Sequence, residues 1–238
     1  MIFISPPFGN YYNSNNSNYI SIKGSFTLNC RPGLIQQIIK TLHYSFSHSG
    51  WINKIGLRNP GLSYAIQKYY IKDENKSIIS IAILDKKEIP HILKLLPNDA
   101  NIEINVSCPN AETNMIQNGL QPFINNKRKW CIIKLSPTCD NKLIDSYYQQ
   151  GFRQFHCSNT LPTKNGGLSG PSLIPYSSKL VNYISQNYHD ATIIAGGGIQ
   201  TKNDIDYYKK LGAHHFSISS LLFNPYKSLL FFCFSSTN

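Results

Sequence analysis

Eight short runs rich in β-branched and aromatic residues recur along this chain, mostly with helix-length segments between them. They are IFIS (2–5), YISIK (19–23), IISIAIL (78–84), IEINVS (102–107), CIIKLS (131–136), QFHC (154–157), TIIAG (192–196) and HFSIS (215–219). Such runs read as buried strands. Amphipathic stretches near 33–44, 61–70, 87–96, 141–150, 172–187 and 202–211 read as helices. In the last of these, Tyr207, Tyr208 and Leu211 fall at helical spacing and Gly212 supplies a C-terminal stop. Strand–helix alternation of this length predicts a parallel sheet closed as an α/β barrel of the (β/α)8 TIM type. The link between the first two strands, about 5–18, has no helical pattern, and its stretch NYYNSNNSN (10–18) reads as a surface loop. That connection lies at the lower length limit for a parallel crossover, so an open doubly wound sheet stands as the alternative. No linker interrupts residues 1–238, and one domain is expected over that length.

Charge narrows the partners. The 23 Lys and Arg residues outnumber the 12 Asp and Glu. The excess reads either as attraction to anions such as phosphates, carboxylates or nucleic acid, or as compositional drift in a chain rich in Asn, Ile, Lys and Tyr together. The lysines are scattered, however, and the one dense run, NNKRKW, is short, which argues against a nucleic-acid surface. No run approaches the roughly 18 apolar residues of a membrane helix. The start, MIFISPPFGN, has neither a basic n-region nor the apolar length of a signal peptide. The expectation is a soluble, cytoplasmic protein without a membrane partner. The six cysteines include no C-x-x-C pair, so the usual zinc and iron–sulfur spacings are missing and no metal site is expected. Without a secretion signal, free thiols are expected. The apolar C-terminal stretch SLLFFCF (228–234) either packs under the barrel as a last helix or strand, or forms the contact of a homodimer.

In such a barrel the active site gathers at the C-terminal ends of the strands, where several unusual residues fall. Lys23 and Lys134 end apolar strands, YISIKG and CIIKLS, where solvated lysine is uncommon. An inward lysine there would face a ligand anion or an electron-rich ring. Asn53, Asn105, Asn110 and Asn159 could present paired donors and acceptors to a planar amide-bearing ligand, although each alone reads as a turn residue. The glycines of AGGGI (195–199) and NGGLSG (165–170) let backbone N–H groups converge on an anion. Gly197 and Gly198, ahead of a helix, could hold a phosphate. A tight turn would use the same residues. Cys108, in INVSCPNAE, is on these grounds core filler, metal ligand, half-disulfide or catalytic base.

Taken in order, INVSCPN, IIKLSP, SNT with GGLSG, and AGGGIQTKNDIDYYKKLGAHHFSIS resemble the successive motifs of the dihydroorotate dehydrogenase family. GWINKIGLRNPG (50–61) resembles the family's segment before the third strand. The match runs from about residue 2 to 225. What the resemblance implies is an FMN barrel that oxidises dihydroorotate to orotate in pyrimidine synthesis. A base takes the C5 proton while hydride leaves C6 for flavin N5. Soluble class 1 members use the Cys of S-C-P-N, so Cys108 would be that base. A free thiol is partly ionised near neutral pH, and a nearby cation raises that fraction. By the same motifs Lys23 would contact flavin and substrate. Asn53, Gly56, Leu57, Asn105, Asn110, Asn159 and Thr160 would hold the pyrimidine. The cofactor would be met by Asn105, Lys134, Gly167, Ser169, Gly170, Gly197, Gly198, Ser219 and Ser220.

The chain departs from the family pattern in places. It is shorter than typical members, and SPPFGN, with Gly9 and Asn10, only loosely matches the small-residue flavin loop. Ser219–Ser220 stand where a Gly followed by Thr or Ser is usual after the eighth strand. Alternative readings are another FMN-barrel oxidoreductase acting on a related pyrimidine, including uracil in tRNA, or a degenerate barrel without turnover.

Overall fold

The computed structural model describes residues 1–13, 16–72, 76–106 and 118–233. In chain order the strands and helices are β1 (Ile2–Ile4), β2 (Tyr19–Phe26), α1 (Leu34–Thr41), β3 (His43–Ser45), β4 (Gly50–Asn53), α2 (Leu62–Tyr69), β5 (Ser77–Ile81), α3 (Ile89–Leu95), β6 (Ile102–Asn105), β7 (Cys131–Lys134), α4 (Asn141–Gln149), β8 (Gln154–Cys157), β9 (Leu161–Thr163), β10 (Gly166–Ser169), α5 (Ile174–Asn187), β11 (Thr192–Gly196), α6 (Lys202–Lys210), β12 (His215–Ile218) and α7 (Pro225–Cys233). Single 3₁₀ turns fill several links.

The eight expected strands are β1, β2, β5, β6, β7, β8, β11 and β12. They pair in parallel in that order, and β12 returns to β1. The register closes at Ile2↔Phe216 on one side of β1 and Ile2↔Tyr19 on the other. Closure excludes the open sheet. It leaves the barrel strands without a free edge. The six expected helices are α1 to α6, and local chemistry sets several of their ends. Asp140 caps α4 by accepting from the Lys142 N–H, and Thr201 with Asp204 forms a capping box on α6. Gly212, at φ +100°, ends α6. Between β1 and β2 the described residues carry a 3₁₀ turn at Phe8–Asn10, so the first crossover is short, as its sequence required.

Two features depart from expectation. Helix α1 stops at Thr41 rather than near 44, because His43–Ser45 leave the helix to form β3. The structure also builds a four-stranded antiparallel sheet, β3-β4-β10-β9, beside the barrel. Its β10 uses the Gly-rich stretch read above as an anion loop. Gly167 pairs opposite Asn53 and Leu168 opposite Ile52. A Cβ on Gly166 would run into the Asn53 carbonyl, so glycine there serves strand packing. Residues 228–233 of the C-terminal apolar stretch lie in α7, with Phe231 buried in the main core and Phe232 against Tyr19. Among the described residues no helix is long and apolar enough to cross a membrane.

The barrel interior is layered. Phe3, Ile20, Ile22, Ile78, Trp130, Ile132 and Ile194 form a closed apolar cluster at its lower end. Residues two apart on a strand share a face. Above that plug the same inward face therefore carries Ser5, Ser80, Glu103, Lys134, His156 and Ser217, all on barrel strands or one residue past them. The outward partners Ile79, Ile81, Ile104, Ile133, Phe155 and Ala195 join the main core under the helices. A barrel plugged below and polar above is open to a ligand only from the C-terminal ends of its strands.

Candidate active site

The inward polar residues belong to a network that spans five strands. Glu103 on β6 is fully buried. It accepts from Ser80 Oγ at 2.7 Å and lies 2.6 Å from His156 Nδ1 and 3.5 Å from Lys134 Nζ. Burial alone would raise the Glu103 pKa, but Lys134 and His156 overcome it and hold the carboxyl at about 2. Ser80 Oγ continues to Ser25 Oγ at 2.9 Å, and Ser25 accepts from Asn105 Nδ2 at 2.9 Å. Asn159 Nδ2 donates to Asn105 Oδ1 at 3.1 Å. One connected chain thus runs from His156 through Glu103, Ser80, Ser25 and Asn105 to Asn159. Buried polar groups persist in a core when they have partners or serve a ligand.

Above this network opens a cleft. Its floor includes Ser5, Lys134, His156 and Ser217, and its walls include Asn159, Thr160 and Ser169. One side is formed by Gly170, Gly197, Gly198, Ser219 and Ser220. Gly197 and Gly198 hold φ of +81° and +90°, a region that side chains disfavour. The chemistry of this side suits a phosphate, and the Lys134 cation on the floor suits an electron-rich ring. Ser219 departs from a bare backbone cradle, since its hydroxyl donates to the Pro6 carbonyl at 2.6 Å.

Nine of the expected residues line this one cleft: Lys134, Asn159, Thr160, Ser169, Gly170, Gly197, Gly198, Ser219 and Ser220. Asn105 joins them through Asn159. Asn53 and Gly167 sit opposite one another on β4 and β10. Leu57, just past Gly56, is buried against Ala82 and Leu84 beyond the end of β5. Cys108 and Asn110 lie outside the described residues, in the segment entered from Val106 after β6.

Lys23 is placed differently from the inward lysine expected. Ile20 and Ile22 take the inward face of β2, which turns Lys23 outward. Its ammonium donates to the Gly9 and Tyr12 carbonyls at 2.7 and 2.8 Å and to Asn13 Oδ1 at 3.0 Å. It also sits 5.2 Å from the Tyr69 ring centroid. Desolvation, with Lys68 adding to it, lowers its pKa to about 8. Asn10 ties the same loop to the strand by accepting from the Gly24 N–H at 2.8 Å. Lys23 therefore anchors the first loop. Replacing it with methionine strips three acceptors of their donor, at a cost of about 1–3 kcal/mol. Amide exchange at residues 8–13 is expected to accelerate while the barrel strands stay protected. Unchanged exchange there would remove the anchoring role.

Sequence reading missed Glu103 and His156. The signal was present: a carboxylate inside IEINV and an imidazole inside QFHC are as anomalous in apolar strands as the two lysines. Five cysteines fall among the described residues, and all are free thiols. None of them lines the cleft. Burial pushes Cys131 and Cys139 up to about 12 and raises Cys157 further, which keeps these thiols protonated near neutral pH. Among the described residues no group of His, Cys, Asp and Glu could hold a metal ion.

Comparison with known proteins agrees with this architecture. No family model matches the chain. The catalytic subunit of dihydroorotate dehydrogenase B (NAD(+)) from Halalkalibacterium halodurans is 26% identical over 251 aligned residues, covering 92% of this chain and 80% of the relative. The protein of the same name from Staphylococcus carnosus is 29% identical over 213 residues, covering 74% and 68%. Among solved structures, the dihydroorotate dehydrogenase of Eimeria tenella in complex with ferulenol superposes with a TM-score of 0.62 at 19% identity, over 86% of this chain and 69% of that one. That structure speaks to the fold, and the sequence relatives speak to kinship along most of the chain. Over most of its length the chain is similar in sequence to dihydroorotate dehydrogenases.

Proposed function

We propose that the protein is an FMN-dependent oxidoreductase that converts dihydroorotate to orotate in pyrimidine synthesis. The observation that carries the reading is the cleft at the strand C-termini. It sets a glycine- and serine-built anion side next to the Lys134–Glu103–His156 floor and the Asn105–Asn159 pair. The residues present fit FMN. The Gly197–Gly198 and Ser219–Ser220 loops, with Gly170, would hold its phosphate. Lys134 would lie against its ring. When bound, FMN supplies a two-electron acceptor for the hydride that leaves C6 of the substrate.

The chain's own residues supply the rest. Asn105 and Asn159, already oriented by one another, would meet the amide edge of the pyrimidine, with Thr160 beside them. Asn110 would add to that set, and Asn53, Gly56 and Leu57 would approach from the β4 side. Cys108, as thiolate, would take the C5 proton. An asparagine amide held in one orientation contributes because an unmet buried partner costs about 1–3 kcal/mol. The relatives named above are catalytic subunits of an NAD(+) enzyme. This favours a second subunit that carries electrons on to NAD(+).

An anaerobic visible spectrum tests the reading. Purified protein, loaded with FMN, is expected to show a flavin band that bleaches on adding dihydroorotate, with stoichiometric orotate formed. A flavin band untouched by dihydroorotate would move the search to other substrates of FMN barrels. Folded protein that takes up no FMN would leave the degenerate barrel.

A further inference from the structure

His156 lies on the floor of the cleft and is 1% exposed. It is the cross-strand neighbour of Lys134 in the β7–β8 register. Its Nδ1 meets the Glu103 carboxylate at 2.6 Å. That carboxylate is ionised and offers only lone pairs, so Nδ1 carries the proton. Burial, with the Lys134 ammonium adding to it, disfavours a second proton on the ring against the pull of Glu103. The remaining nitrogen, Nε2, is then a bare acceptor. It is shut off from solvent and has no donor among the described residues. A buried acceptor in that state is unfavourable unless a ligand meets it.

The neighbouring groups define what that ligand offers. Lys134 presents a donor and His156 an acceptor, side by side on adjacent strands. Their complement is a carbonyl next to an N–H, which is one edge of a cyclic imide. Both the pyrimidine ring of flavin and dihydroorotate carry that edge. We infer that His156 Nε2 accepts a hydrogen bond from a cyclic imide N–H of the ligand in the cleft, with Glu103 fixing the tautomer that makes this possible. The inference rests on the flavin and pyrimidine reading above. It assigns a ligand-orienting role to a residue that no motif singled out.

Nitrogen NMR of the full chain labelled with ¹⁵N-histidine tests it, with His156→Gln used to assign the resonances. Without ligand, Nδ1 is expected in the protonated range and Nε2 in the unprotonated range. Adding FMN is expected to move the Nε2 resonance toward the hydrogen-bonded range while Nδ1 stays in place. A shift that comes only when orotate joins FMN assigns the imide to the pyrimidine and still supports the inference. In parallel, His156→Phe removes the acceptor and keeps an aromatic ring. It is expected to weaken the ligand that causes the shift about ten-fold, a difference of about 1.4 kcal/mol. FMN affinity is read by fluorescence quenching and orotate affinity by the change in the flavin spectrum. His156→Gln, which retains a carbonyl acceptor, is expected to recover part of the loss. A protonated Nε2 in the free protein overturns the inference. So does an Nε2 resonance unmoved by saturating FMN and orotate, and this outcome leaves the flavin reading standing. A folded protein that binds no FMN by fluorescence overturns both.

Discussion

Replacing Cys108 with alanine is expected to slow flavin reduction by dihydroorotate by about 10²–10⁴-fold, the usual contribution of a positioned general base. Stopped-flow bleaching of FMN-loaded protein measures it directly, apart from reoxidation. FMN affinity is expected to change far less, because most of the proposed cofactor contacts come from other strands. The wild-type rate should rise with pH as the thiol ionises, and a free thiol titrates near ~8.5. Cys108→Ser should reduce the flavin slowly, with the rising limb displaced to higher pH, since a hydroxyl is the weaker acid. Reduction by the alanine variant at the wild-type rate would exclude Cys108. Cys131, Cys139 and Cys157 could not take its place, because burial holds their thiols protonated.

The second large effect is on stability. Glu103→Gln removes the charge that Lys134 and His156 share in the fully buried floor. Breaking a buried ion pair from one side typically costs about 3–5 kcal/mol. The pH dependence separates charge from shape. The Glu103 carboxyl has a folded pKa of about 2 against an ordinary 4.5. A depressed carboxyl stabilises the fold above its unfolded pKa and loses that contribution as pH falls through the folded one. The gap between wild type and Glu103→Gln should therefore be widest above about pH 5 and should close toward pH 2. His156 acts in the same direction in the wild type. Its pKa is lowered by burial, so its contribution is present above the ordinary value of 6.5 and declines as acid protonates the unfolded chain. Urea denaturation at several pH values reads both. A gap independent of pH would mean that the ionised carboxylate is not its source.

Much of the architecture was legible before any coordinates. All eight barrel strands and six helices were readable because β-branched runs, amphipathic stretches and stop residues such as Gly212 carry local signals. The small sheet β3-β4-β10-β9 was not. Its strands are three or four residues long, and β10 begins with two glycines, so neither length nor alternation marked it. The glycines that looked like one kind of loop do two jobs. Gly197 and Gly198 form a side of the cleft, whereas Gly166 lets β10 lie against β4.

The two lysines show where local sequence ends. SIK and IIK offer nearly identical contexts, and both lysines lie on strands of the same barrel. Lys134 lies two residues after the inward Ile132 and enters the cleft. Lys23 lies one residue after the inward Ile22 and turns out to the first loop. Strands of a parallel barrel are apolar on both faces, so alternation along the chain does not say which face is inside. By itself the sequence determined the succession of strands and helices, the end of the barrel where polar residues collect, and the likeness carried by the ordered motifs. The closed register alone decided which member of each alternating pair faces inward. It thereby brought Glu103, His156 and Lys134, each an isolated oddity in its own strand, within reach of one another.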